Sequence, residues 1–139
     1  MATPARAAGL DLIYLLAPTT PLERGREIAR SASGFLYYVS VTGVTGARAA
    51  LAADLEGNVR DLRAVTDLPI GVGFGISKPD QARAVAAFAD AAAVGSAISQ
   101  LIEDNLTHEN LVATVGEFVG ALKQAMRSAR TAPNAAVAG

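Results

Sequence analysis

The 139-residue sequence predicts an α/β fold made of parallel β/α units. Short apolar runs alternate with amphipathic stretches, and no pair of runs is joined by the tight Asn-Gly or Asp-Gly turn of a hairpin. Three of the runs also end in small glycine-bearing turns, Gly43-Val44-Thr45-Gly46, Gly73-Phe74-Gly75-Ile76-Ser77 and Gly95-Ser96. Glycine lets a backbone approach an anion with no Cβ in the way, and a helix starting just after such a turn directs free N–H groups and a partial positive charge at it. Parallel sheets bind ligands outside the carboxyl ends of their strands, where all three turns fall.

The elements follow in order along the chain. Residues 10–17 are a mostly apolar run of strand length, as expected for a strand covered on both faces, and Pro18 stops it. Thr20-Pro21-Leu22-Glu23 reads as a capping box, with Thr20 at the N-cap and Glu23 at N3, opening a helix that carries Ile28 and Ala29 inward and ends at Gly34. The second strand is placed at 35–40. Residues 47–65 are helical in composition but interrupted at Glu56-Gly57-Asn58, which predicts a loop and then a helix from about Asn58.

Leu68-Pro69 precedes the third strand at 70–73, and Ser77-Lys78-Pro79-Asp80 repeats the cap logic, with Ser77 at the N-cap and Asp80 at N3 of a helix running to about Phe88. The fourth strand is placed at 91–94, followed at once by a helix over 97–104. A last helix, capped by Thr107 with Glu109 and Asn110 in its first turn, carries Leu111, Val115, Phe118, Val119 and Leu122 at helical spacing to about Arg127. Residues 1–130 are thus expected to form one domain, and residues 131–139, small residues with one proline, a disordered tail.

Composition narrows the function. The chain is 51% hydrophobic and 18% charged with a mean hydropathy of +0.31, a folding rather than a disordered composition. Twelve basic against 13 acidic residues give a net charge of -1, which leaves no electrostatic footprint for nucleic acid. With no cysteine there is neither a disulfide nor a thiolate metal site, and the first apolar run is too short for a signal peptide or a membrane span. The expectation is a cytoplasmic protein without membrane contact, metal or cofactor.

Each candidate feature has an ordinary structural explanation. A single glycine after a parallel strand often serves only a tight turn, whereas three in succession favour a phosphate cradle. Tyr37, an aromatic in a strand, is by default core or pocket wall. His108 has no second histidine or cysteine to make a metal site and reads as a surface residue. The alanine-rich stretch 84–93 is helix and close-packing material.

Taken together, Gly34-Phe35-Leu36-Tyr37-Tyr38-Val39-Ser40-Val41-Thr42-Gly43-Val44-Thr45-Gly46-Ala47-Arg48, then Gly73-Phe74-Gly75-Ile76-Ser77, then Val94-Gly95-Ser96-Ala97, resemble the second half of the tryptophan synthase alpha chain family. Ala8-Gly9-Leu10-Asp11-Leu12-Ile13 and Leu16-Ala17-Pro18-Thr19-Thr20-Pro21 are similar to that family's fifth strand and the start of the helix after it. The resemblance covers about residues 5–127. It implies the C-terminal half of an eight-fold β/α (TIM) barrel, strands five to eight. The implied activity is a carbon–carbon lyase of tryptophan biosynthesis that cleaves indole-3-glycerol phosphate to indole and glyceraldehyde 3-phosphate, and the implied partner is the pyridoxal-phosphate-bearing beta chain that receives the indole. By the same resemblance Gly46, Gly75, Gly95 and Ser96 hold the substrate phosphate, and Tyr37, Val39 and Phe74 line the indole pocket. Tyr37, not Tyr38, is the tyrosine near the reacting glycerol side chain.

The family's catalytic glutamate and aspartate come from its second and third strand regions, outside this 139-residue chain. Asp54, Glu56, Asp80, Glu103 and Asp104 fall in loops, caps and helix ends, and solvated or capping roles suit them better than catalysis. The isolated chain is therefore expected to be inactive, and a non-catalytic phosphate-binding or partner-docking half-barrel is the alternative. Four strands also leave two unpaired sheet edges and an uncovered apolar face, which predicts a marginal monomer that self-associates or pairs with the complementary half.

Overall fold

A computed structural model describes residues 4–39, 48–73 and 75–131. The chain divides into two compact units, residues 1–74 with 88–93, and residues 75–87 with 94–139.

The first unit holds α1 (Pro4–Ala7), β1 (Tyr14–Leu16), α2 (Leu22–Ser31), β2 (Leu36–Val39), α3 (Arg48–Arg63), β3 (Ile70–Gly73) and β4 (Ala91–Ala93). Its strands form a four-stranded sheet in the order β1-β2-β3-β4, every pair parallel, so the expected β/α architecture holds with β1 and β4 at the edges. Strand alternation sends Leu16, Leu36, Tyr38, Ile70 and Val72 to one face, each no more than 2% exposed. Leu55, Val59 and Leu62 of α3 are buried as well; they recur at the spacing that lines one face of a helix.

That stripe explains why α3 does not break where its sequence suggests. The helix runs unbroken through Glu56-Gly57-Asn58. A mid-helix glycine costs only about 1 kcal/mol, less than the burial of the stripe returns, and the Glu56–Arg60 ion pair at 2.8 Å spans the same turn.

Helix starts also shift. The N-cap of α2 is Pro21, not Thr20, and carries no side-chain cap; the Thr20 hydroxyl instead accepts from the Ala17 N–H at 3.1 Å, closing the turn after β1. Ala29 is buried and Ile28 only partly. The helix ends at Ser31, before Gly34, and the Arg6 guanidinium donates to the terminal carbonyls of Ser31 and Ala32 at 2.9 and 3.0 Å. At the amino end of the sheet, Asp90 accepts from the Ile70 N–H and pairs with Arg63, both at 2.8 Å, joining α3 to the start of β3 and β4.

The second unit holds α4 (Pro79–Ala86), α5 (Ser96–Asp104) and α6 (Leu111–Thr131). Helices α4 and α5 each pack on α6, with Ala82, Val85, Ala86 and Leu122 buried. The cap of α4 is Lys78, one residue later than expected, because Gln81 rather than Asp80 occupies N3: its side-chain oxygen accepts from the Ser77 and Lys78 N–H groups at 2.8 and 3.0 Å. Helix α6 begins at Leu111, after the turn containing Thr107, His108 and Glu109, so Thr107 is not its cap. It extends through Thr131, past the expected end at Arg127; residues 132–139 lie outside the described residues. Among the described residues no helix is long and apolar enough to cross a membrane.

Candidate functional site

Five of the seven predicted site residues have a described environment in one unit or the other, and each owes its position to a strand or to a strand-end turn. In the first unit, Tyr37 and Val39 stand on the face of β2 opposite to its buried Leu36 and Tyr38, and both are half-buried. Register places Gly71 beside Tyr37 and Gly73 beside Val39 on that same face. An added Cβ on Gly73 would strike the Tyr37 hydroxyl and stand 2.8 Å from Cζ and 3.2 Å from Cε1 of the ring. The phenol therefore lies directly over the β3 backbone, in space that only glycine leaves open. Gly73 is thus a positioning residue for Tyr37 and not only part of the turn that follows β3. Its signal was a glycine inside an apolar strand, the usual mark of close approach by another group.

This face remains apolar and partly uncovered. Leu15 on β1 is 65% exposed, and Ile13 and Phe35 at the strand entrances are each 37% exposed. In a sheet whose other face is sealed by helices, such a face is a surface for packing.

In the second unit, Gly75 comes two residues after β3 and Gly95 two residues after β4. Gly75 has φ 47°, a left-handed conformation that a side chain would strain. Gly95 is the N-cap of α5, and its carbonyl accepts the first helical bonds, from the Ile98 and Ser99 N–H groups at 2.9 and 3.0 Å. No side chain caps α5 and its first turn carries no acidic residue. Gly95 and Ser96 are exposed, and a Cβ on Gly95 would meet nothing within 4 Å. The N–H groups opening α5 thus start beside the exposed Ser96, with no carboxylate of their own turn to repel an anion. This is the chemistry of an oxyanion or phosphate grip.

Gly46 and Phe74 lie outside the described residues. His108 is exposed, as expected for a surface residue. Of the carboxylates, Glu56 pairs with Arg60 and Asp104 accepts from Gln100 at 2.9 Å, both on exposed helix surface. Asp80 sits in the first turn of α4, where a negative charge suits the helix dipole.

Comparison with known proteins agrees with this architecture. The family described as tryptophan synthase alpha chain matches residues 1–127. The tryptophan synthase alpha chain of Geobacter sulfurreducens is 52% identical over 118 residues, which cover 85% of this chain and 44% of that protein. That of Gluconacetobacter diazotrophicus is 48% identical over 133 residues, 92% of this chain and 48% of that one. The solved tryptophan synthase subunit alpha of Legionella pneumophila str. Paris superimposes with a TM-score of 0.72 at 34% identity, over 88% of this chain and 45% of its own. A Mycobacterium tuberculosis tryptophan synthase structure gives 0.73 at 33% identity, over 88% and 44%. The chain spans about half the length of the relatives it matches.

Proposed function

Because this chain belongs to the tryptophan synthase alpha chain family, we propose that it serves as the phosphate-gripping half of an indole-3-glycerol phosphate lyase of tryptophan biosynthesis. The observation that carries this reading is the uncapped, acid-free N-terminus of α5 at Gly95-Ser96. There the backbone N–H groups and the Ser96 hydroxyl take the substrate phosphate, and the family resemblance assigns Gly75 and Gly46 the same role. Tyr37 and Val39, with Phe74, receive the indole and the reacting glycerol chain. The bond cleaved joins the indole ring to the glycerol phosphate, releasing indole and glyceraldehyde 3-phosphate. Proton transfer at the glycerol hydroxyl and ring carbon, and polarisation of the indole N–H, fall to the glutamate and aspartate that the family resemblance places outside this chain. The beta chain is the proposed recipient of the indole, and the cytoplasm the proposed compartment.

The grip is testable without turnover. Titration of the 139-residue chain with inorganic phosphate or glycerol 3-phosphate, followed by amide NMR, is expected to shift the Gly95, Ser96 and Ala97 signals saturably. Gly95→Asp puts a carboxylate at the anion position and is expected to weaken phosphate binding at least tenfold while leaving the fold intact. Equal affinity in the variant would overturn the assignment.

Pairing is part of the same reading, and it rests on the apolar sheet face and the open edges β1 and β4. A second copy or the complementary half would continue the parallel sheet past both edges and cover Leu15, Ile13 and Phe35. Size-exclusion chromatography with light scattering is expected to show association at micromolar concentration, and a cooperative, well-folded monomer would refute it. The alternative, a non-catalytic phosphate-binding or docking module, keeps the grip and differs only in chemistry, which an indole assay resolves.

A further inference from the structure

Behind β1 and β2, away from the proposed ligand face, the first unit has a small pocket, partly open to solvent, lined by Leu16, Thr20, Leu22, Tyr38, Asn58 and Asp61 together with Leu62. Tyr38 is 2% exposed, and its hydroxyl oxygen is fully buried with no hydrogen-bond partner among the described residues. Burial pushes its phenol above the ordinary value of 10.0. The Asn58 side chain is near enough to favour the ionised form slightly, yet does not meet the hydroxyl in hydrogen-bond geometry. A neutral phenol at this depth is a donor that needs an acceptor, because a buried hydroxyl left unpaired is costly.

The cavity offers about 50 Å³ to the centres of water-sized molecules, and one water needs roughly 10–15 Å³ on that measure. There is thus room for more than one water. The lining also supplies what a buried water requires, which is two to four polar partners. Thr20 already accepts through its oxygen from Ala17, which leaves its O–H free to donate. Asn58 brings an amide, and the exposed Asp61 brings a carboxylate at the solvent side. Leu16, Leu22 and Leu62 line the remaining walls and leave little polar surface to hold a free ion.

We propose that this cavity is a hydration site, in which ordered water accepts the Tyr38 hydroxyl hydrogen and relays hydrogen bonds to Asn58, Thr20 and Asp61. The site belongs to the helix-covered side of the sheet and is independent of the phosphate reading, so either can fail without the other.

The sign of one substitution tests it. If water pairs the hydroxyl, Tyr38→Phe removes a satisfied hydrogen bond, and the melting temperature is expected to fall by roughly 2–6 °C. If the hydroxyl is unpaired, the same change removes a buried orphan and the melting temperature rises. NMR of the native chain supplies the second readout, which a merely structural tyrosine would not move: cross-peaks between long-lived water and the Tyr38 hydroxyl or ring protons, lost in Tyr38→Phe. Either a raised melting temperature or the absence of these cross-peaks overturns the proposal.

Discussion

Given indole-3-glycerol phosphate, the purified 139-residue chain is expected to release no detectable indole, even where phosphate binds. The described site residues explain why. Tyr37, Val39, Gly75, Gly95 and Ser96 offer a phenol, a hydroxyl, backbone N–H groups and apolar surface, but no carboxylate and no imidazole. Each positioned acid or base contributes on the order of 10²–10⁴ in rate, so if the family's glutamate and aspartate are supplied from outside this chain, as we propose, their absence would remove roughly 10⁴–10⁸. Three of the described carboxylates already have other roles: Glu56 is engaged by Arg60, Asp104 by Gln100, and Asp80 lies in the first turn of α4. The measurement is indole release by the chain alone, by the chain with a beta chain, and by the chain mixed with a polypeptide supplying the first four strands of a relative. Activity is expected only in the last mixture. Turnover by the chain alone would refute the account of the missing carboxylates, and no activity in any mixture, with phosphate binding retained, would favour the non-catalytic module.

How much of this was legible in the sequence depended on the range of the forces involved. The strand Ile70–Gly73 could be bounded to the residue, because Pro69 before it and the glycine turn after it are local signals. The parallel order followed from alternation and the absence of hairpin turns, which are also local. The continuity of α3 was not legible, since Gly57 and Asn58 signal a break and only burial of Leu55, Val59 and Leu62 against the first unit overrides it. Helix starts slipped by one residue at α2 and α4 because two candidate caps stood side by side, and the structure used Thr20 for the preceding turn and Gln81 for the following box. Arg6 on the end of α2 joins residues 25 and 26 positions apart, a contact no local pattern encodes. The site divides in the same way: Gly95-Ser96 is a local helix-start signal and could be read, whereas the dependence of Tyr37 on Gly73 requires the register of β2 against β3.

That dependence leads to the second large effect. Replacing Gly73 with alanine drives a methyl group into the Tyr37 phenol, 2.8 Å from Cζ, where a fixed β-strand backbone cannot retreat and the ring must swing away instead. Overpacking of this kind costs on the order of 1–3 kcal/mol, and here it also moves the one polar group on this face of β2. Gly71, two residues earlier on the same face, is the internal control. A Cβ there would stand 3.4 Å from Phe35 Cε2, an ordinary contact, so Gly71→Ala is expected to be mild. If the clash with the ring is the cause, Tyr37→Ala removes it, and Gly73→Ala combined with Tyr37→Ala should lose less stability than the two single changes summed, by about 0.5–3 kcal/mol. Urea unfolding of the four proteins in this cycle reads the coupling. Additive losses would mean that Gly73 is required for its own backbone and not for Tyr37, whereas a positive coupling would make the glycine the residue that sets where the phenol points.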